Sequence, residues 1–265
     1  VSSQVRDNVE GILFGLAAGD RNGGPVRMAV RLAESLVERR SLDPDDVGRR
    51  YLQWWRSGAF DTGPVSAGVL RLVDGGSTFH DAAVKIDKRM GGLTAGCNPA
   101  HRCAPLAMAN TVPDGRLREA SGREAALTHR HPLAGATSGA VALLCRLLVN
   151  RVPWAEALVT AGEGLDEQVR ADLDPGDGEG RGLRTGGFSP DVLAAAVHFL
   201  DRARTFEDAL TRALSFAGPA NYCPVLVGSI GGARWGRAAI PEAMLRHCEI
   251  IDRVGRAAAL LAAGW

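Results

Sequence analysis

Apolar residues recur every three to four positions along most of this chain, and stretches alternating apolar and polar over a strand's length are few. That period is helical. Ser3 reads as the cap of a first helix running to Ala18, ended by Gly19-Asp20. Gly24-Pro25 opens the next, with Val26, Ala29, Val30, Ala33, Leu36 and Val37 on one face. Asp43-Pro44 sets an N-cap before a proline at the first helical position, and Ser189-Pro190-Asp191 repeats the device ahead of Val192, Leu193, Ala196, Val197 and Leu200. Thr205-Phe-Glu-Asp208 resembles a capping box with Asp in place of Glu. Ile240-Pro241-Glu242 starts a late helix carrying Met244, Leu245, Ile250 and Ile251. The expected fold is all-α, many helices joined by glycine-rich loops.

The breaks between these helices are polar and rich in glycine. They fall at Gly19–Gly24, Ser57–Pro64, Gly91–Pro105, Thr128–Pro132, Asp172–Gly187 and Gly218–Asn221. The stretch from Asp172 to Gly187 is of low complexity, but good helices flank it and composition does not shift across it. It reads as a mobile loop within one domain spanning residues 1–265. Loops of this kind, recurring between helices, point to a site built at one end of a bundle.

Composition narrows the partners. The 31 basic and 30 acidic residues leave a formal charge of +1, too little to drive binding to nucleic acid or an anionic membrane, and neither is expected as a partner. Only Lys85 and Lys88 are lysines. The arginine excess has a bland reading, genome composition, and a sharp one, bidentate phosphate binding. Cys97, Cys103, Cys145, Cys223 and Cys248 form no CxxC pair, so reduced thiols are expected. The apolar runs Ile12–Ala18 and Ala257–Ala263 are too short to span a bilayer and no basic leader precedes them, so a soluble cytoplasmic protein is expected.

The candidate chemistry lies in the loops. Asp20 and Asp61 read either as helix-capping residues or as site carboxylates. His101-Arg102 and Thr128-His129-Arg130-His131 bring histidines and arginines together, a combination suited to phosphate or ribose. His129-x-His131 has no carboxylate nearby to complete a metal ligand set. Cys223 reads as a buried thiol before a nucleophile.

Taken in order, the loops resemble the ADP-ribosylglycohydrolase family. Gly11-Ile-Leu-Phe-Gly-Leu-Ala-Ala-Gly-Asp20-Arg-Asn-Gly-Gly-Pro is similar to that family's GxLxGxAxGDxxGxP opening, and Gly96-Cys-Asn-Pro-Ala-His-Arg102-Cys-Ala-Pro105-Leu to its GNGxxMRxAPL loop. Leu127-Thr-His129-Arg-His-Pro132 matches LTHxxP, and Gly186-Gly-Phe188-Ser-Pro-Asp-Val-Leu193 resembles GxGYVxxxL. The run from Ala217 through Gly228 and Gly232 to Gly236 follows GGDTDTxAxxxGAxxGAxxG. The resemblance implies an all-α fold and hydrolysis of ADP-ribosyl bonds with two divalent cations, magnesium or manganese. Those cations are held by an early Glu, a TDDT motif and a late GDTDT. Here Arg27 stands near the early Glu, Phe60-Asp61-Thr62-Gly63 keeps one carboxylate of TDDT, and Gly218-Pro219-Ala220-Asn221-Tyr222 keeps neither of the late two. Octahedral magnesium needs hard anionic oxygens, so the dimetal site is expected to be lost, with no metal or other cofactor.

Two readings follow. In the first, the chain is a metal-independent N-glycoside hydrolase acting on an ADP-ribosyl or related ribonucleotide small molecule. Asp61 then stabilises an oxocarbenium-like state and His101 or His129 supplies a proton. Arg27 and Arg102 hold phosphates in an electropositive pocket, Phe188 or Tyr222 stacks on a base, and Asp20, Thr62, Asn98 and Asn221 complete substrate binding. In the second, it is a non-catalytic relative that binds ADP-ribose or another nucleotide. The sequence leaves the oligomeric state open.

Overall fold

Gly11, Gly15 and Gly19 recur every fourth residue and leave one face of the first helix bare of side chains. In the computed structural model, described over residues 2–175, 182–220 and 222–265, that helix opens a series of fifteen among the described residues. They are α1 (Ser3–Gly19), α2 (Gly24–Arg39), α3 (Pro44–Arg56), α4 (Gly63–Asp74), α5 (Phe79–Arg89), α6 (Asn98–Arg102), α7 (Pro105–Met108) and α8 (Leu117–Ala125). There follow α9 (Pro132–Val149), α10 (Trp154–Gly162), α11 (Glu167–Asp172), α12 (Ser189–Asp201), α13 (Phe206–Ala217), α14 (Cys223–Trp235) and α15 (Ile251–Ala262). No strand occurs among the described residues beyond one isolated bridge, Gly96 to Phe188. The all-α expectation holds.

The bare face of α1 is met by another. Gly11 lies against Gly232, Gly15 against Gly228 and Gly19 against Pro224, so α1 and α14 run antiparallel with their backbones in contact. A Cβ on Gly15 would overlap the Gly228 carbonyl, and one on Gly228 would overlap that of Gly15. The seam continues as Asn8 Nδ2 donates to the Ala233 carbonyl at 2.9 Å, from a residue buried in the core. Because the helices are antiparallel, the end of α1 and the start of α14 lie side by side.

The helix starts follow local rules. Asp43 accepts from the Asp46 N–H ahead of Pro44, and Thr205 accepts from the Asp208 N–H. Three expectations need correction. The first cap is Ser2 rather than Ser3. Ser189 lies inside α12 and makes no cap; its hydroxyl instead donates to the Leu133 carbonyl. The predicted late helix is broken into a 3-10 turn, Glu242–Leu245, and α15, which begins only at Ile251. The low-complexity stretch is helical as far as Asp172, and its residues 176–181 lie outside the described residues.

Pro132–Val149 is long and apolar enough to cross a membrane by length and composition. Two thirds of it is buried, since α6, α8, α10, α12 and α14 surround it as the central core helix. Asp46 ties α2 to α3 by accepting from Arg39, Arg49 and Arg50 at 2.7–2.9 Å. Burial alone would raise its carboxyl, but these partners hold it well below the usual carboxylate range. Val65, Val69, Ala82, Ala83 and Ile86 form a separate small core between α4 and α5. That hairpin stands to one side of the main body and supplies one wall of the cleft described below.

Gly15→Ala or Gly228→Ala should destabilise the fold by about 3 kcal/mol, read as a fall in the denaturant midpoint. Gly122→Ala, in α8 where a Cβ meets nothing within 4 Å, should instead gain about 0.5–1 kcal/mol. Equal effects at the two places would refute close backbone contact in the seam.

Candidate active site

Four helices begin at one place. Residues at or just ahead of the starts of α2 (Asn22, Pro25), α4 (Gly63, Pro64, Val65), α6 (Cys97, Asn98) and α14 (Ala220, Tyr222) line a single cleft of about 380 Å³. His129, just ahead of α9, and Gly187, just ahead of α12, complete that side. The α2 start is already capped by the Asp20 carboxylate and each of the four helices has a proline in its first turn, so it is the remaining N–H groups of α4, α6 and α14 that favour an anion or a carboxylate here. Met90 and Leu93, after α5, form an apolar rim opposite, and Leu93 is 79% exposed.

Asp61 enters this cleft from the turn before α4, in a left-handed conformation (φ 50°) that Asp tolerates and most residues avoid. The turn is seated on α2, because Gly24 has no Cβ to collide with the Asp61 carbonyl. Asn98 braces it from α6, its Nδ2 donating to the Thr62 carbonyl at 2.9 Å. Thr62 is itself buried and does not line the cleft, which corrects its place among the substrate-binding candidates. Tyr222 packs against Gly187, and the bridge from Gly96 to Phe188, with Cys97 N–H donating to the Gly187 carbonyl at 2.9 Å, closes the floor.

The structure thus gathers Asp61, Asn98, His101, His129 and Tyr222 around one cavity. Phe188 is half-buried next to the cleft, beside its lining residue Gly187, and its backbone rather than its ring joins the floor. Asn221 lies outside the described residues.

Three candidates have other work. Asp20 is buried and does not line the cleft; its two oxygens accept from the Gly23 and Val26 N–H groups, each at 2.7 Å, making it the capping residue of α2. Arg27 is turned away into an ion pair with Glu249 at 2.7 Å, and its guanidinium lies over the Phe60 ring, 4.8 Å from the centroid. Arg102 is fully buried, bonded to Glu124 at 2.6 Å and to Thr128 at 2.9 Å. Neither arginine is a phosphate ligand in this geometry. The expected electropositive pocket is corrected too: among the described lining residues there is no Lys or Arg, and positive potential comes from helix ends.

His101 and His129 are both nearly inaccessible, and each keeps a buried Nε2 with no hydrogen-bond partner in the cleft wall. Burial pushes the His101 imidazole down from 6.5 to about 3, with the Arg102 charge adding to the effect. Burial and then Arg102 push His129 to about 3 as well. This depression leaves both rings neutral at pH 7, so neither offers a charged acid for the proton that His101 or His129 is expected to supply. Burial likewise pushes the Cys97 and Cys223 thiols up to about 12, so neither is a nucleophile.

Two divalent cations do not fit this donor set. Asp61 is the one carboxylate among the described lining residues, and among the described residues no three His, Cys, Asp or Glu side chains converge on a point. Met90, Leu93, Asn22 and Pro25 were missed by the sequence reading. The signal was available for the first two: apolar side chains beside Gly91-Gly92, in a loop already marked as a break.

This helical fold, with its cleft at the helix starts, is that of a glycohydrolase family. The chain belongs to the ADP-ribosylglycohydrolase family, whose profile matches residues 26–264. It is 24% identical over 228 residues to the ADP-ribosyl-[dinitrogen reductase] glycohydrolase of Rhodospirillum rubrum, covering 84% of this chain and 72% of the relative. It is 24% identical to the ADP-ribosylarginine hydrolase Tri1 of Serratia proteamaculans, covering 97% and 79%. A solved structure described as an ADP-ribosylglycohydrolase-related protein complex superposes with a TM-score of 0.82 at 26% identity, covering 99% of both chains.

The two buried imidazoles make a pH signature. Each is depressed in the folded state, so its contribution to stability is full above the unfolded value of 6.5 and is lost as pH falls toward about 3. Between about pH 6 and 4.5, above most carboxylates, stability should fall by about 1.4 kcal/mol per pH unit for each histidine. Urea denaturation across that range should show the slope, and His129→Gln should remove about half of it. A flat profile would contradict neutral buried histidines.

Proposed function

We propose that this cleft hydrolyses the N-glycosidic bond of an ADP-ribosyl or related ribonucleotide small molecule without a metal ion. The observation that carries the reading is the pairing of one carboxylate, Asp61, with converging helix N-termini in a cleft whose histidines are neutral. Helix ends suit the phosphates, and the carboxylate suits the cation that develops at the ribose.

Bond cleavage sends the electron pair to the departing nitrogen and leaves positive charge shared between C1′ and the ring oxygen. Asp61 faces that charge and lowers its cost; water then adds at C1′, and its proton passes to Asp61 and on to solvent. No imidazolium is at hand near pH 7 to protonate a leaving group. The chemistry therefore favours a nitrogen that is cationic before it leaves, such as the pyridinium of a nicotinamide nucleotide, which departs neutral. The apolar rim of Met90, Leu93 and Val65 supports the same class, since a flat aromatic leaving group buries apolar area there.

Incubation with NAD in the presence of chelator, followed by chromatography, should show release of the base. Asp61→Asn should lower kcat by about 100-fold or more while leaving affinity for ADP-ribose within a few-fold. Release that requires added magnesium or manganese would refute the metal-free reading. Binding of ADP-ribose with no turnover of any N-glycoside would assign the chain to the non-catalytic binders instead.

A further inference from the structure

Behind the cleft wall runs a row of buried polar side chains that the reaction above does not use. Tyr51 Oη and Arg102 Nε both donate to Glu124 Oε1, at 2.8 and 2.6 Å, and the Arg102 guanidinium lies over the Tyr51 ring, 5.2 Å from its centroid. Arg102 Nη2 donates to Thr128 Oγ1 at 2.9 Å, and that oxygen stands 2.8 Å from His129 Nδ1. None of the five residues is more than 2% exposed. The row passes from α3 through α8 and α6 to the turn before α9, and it ends at His129 Nε2 in the cleft wall. Arg102 Nη1, Glu124 Oε2 and His129 Nε2 have no hydrogen-bond partner among the described residues, a cost that a purely structural network would avoid.

The protons can be placed one at a time. A guanidinium only donates, so Thr128 Oγ1 must accept from Arg102. If Thr128 Oγ1 also accepted from His129 Nδ1–H, its own buried proton would have no acceptor among its partners; donating that proton to His129 Nδ1 satisfies both groups. A neutral imidazole that accepts at Nδ1 carries its proton on Nε2. Glu124 makes this one-way. By fixing Arg102 Nε it aims Nη2 at Thr128, and the Arg102 charge beside His129 disfavours a second proton on the ring.

We propose that Arg102 and Thr128 are positioning residues that lock His129 in its Nε2–H tautomer and so present a neutral N–H donor to an oxygen acceptor of the ligand. The ligand's identity rests on the ribosyl-hydrolase reading given above; the tautomer does not. Arg102 thus acts on the cleft from inside the core, two hydrogen bonds away. The donor is aimed but uncharged, so it binds an ester, hydroxyl or phosphate oxygen without competing with Asp61 for the developing cation.

The test is the tautomer itself, read on the whole protein labelled with ¹⁵N-histidine by long-range ¹H–¹⁵N correlation, with His129 assigned from the signals lost in His129→Gln. Wild type should show a protonated Nε2 and an unprotonated Nδ1, unchanged between about pH 6 and 8. Thr128→Val should release the preference and weaken ADP-ribose binding about five- to tenfold, and Thr128→Ser should restore both. A wild-type His129 protonated at Nδ1 overturns the proposal, and that measurement needs no variant to fold. A Thr128→Val protein that folds with tautomer and affinity unchanged overturns it as well. The Nε2–H tautomer in a wild-type protein with no affinity for ADP-ribose upholds the lock and overturns the ribosyl-hydrolase reading.

Discussion

Two backbones in contact set the rest of this molecule. Helix α1 meets α14 through glycines four residues apart on each, and no side chain separates them. The contact fixes the antiparallel register, and the register decides what lies at its end. The close of α1 leads through Asp20 into the start of α2, while α14 begins beside it at Tyr222. His247 strengthens the corner, its Nε2 within 3.2 Å of the Ala17 and Asp20 carbonyls. Wider packing between the two helices would move one cleft wall relative to the other.

On the proposed function, the arrangement lets a cleft without cationic side chains among its described lining residues receive an anionic ligand. Partial charges at several helix starts are built into the backbone, cost no side-chain entropy to order and do not titrate. They also account for the division of labour among the charged residues. Arg27 and Arg102 are spent on Glu249 and Glu124, one at the surface and one in the core. Asp61 alone brings a formal charge into the cleft from the described residues. On the proposed function, this is the charge that faces the oxocarbenium-like state.

Much of the fold was legible because helix period and caps are local. Asp43-Pro44 and Thr205 behaved as the residues alone suggest, since each cap needs only a backbone N–H three residues away. Ser189 did not, because its hydroxyl found the Leu133 carbonyl, a partner 56 residues distant. The same distinction divides the candidate site. Asp61 and His129 sit in breaks between helices, Asn98 and His101 in the short α6 within such a break, and Tyr222 at the start of α14, and these segments come together at one end of the bundle. Arg27 was misread because its partner, Glu249, lies 222 residues further along the chain. Arg102 was misread because a buried ion pair and an anion-binding arginine have the same local sequence. The histidine protonation states were beyond sequence reading altogether, since they follow from burial that only packing creates.

The account stands on an anionic ribosyl ligand being received by helix ends with no bound cation. Calorimetric titration of the wild-type protein with ADP-ribose, in chelator and again in excess magnesium, tests this directly. The same affinity in both is the predicted result. Binding that appears only with magnesium, or in neither, would contradict it.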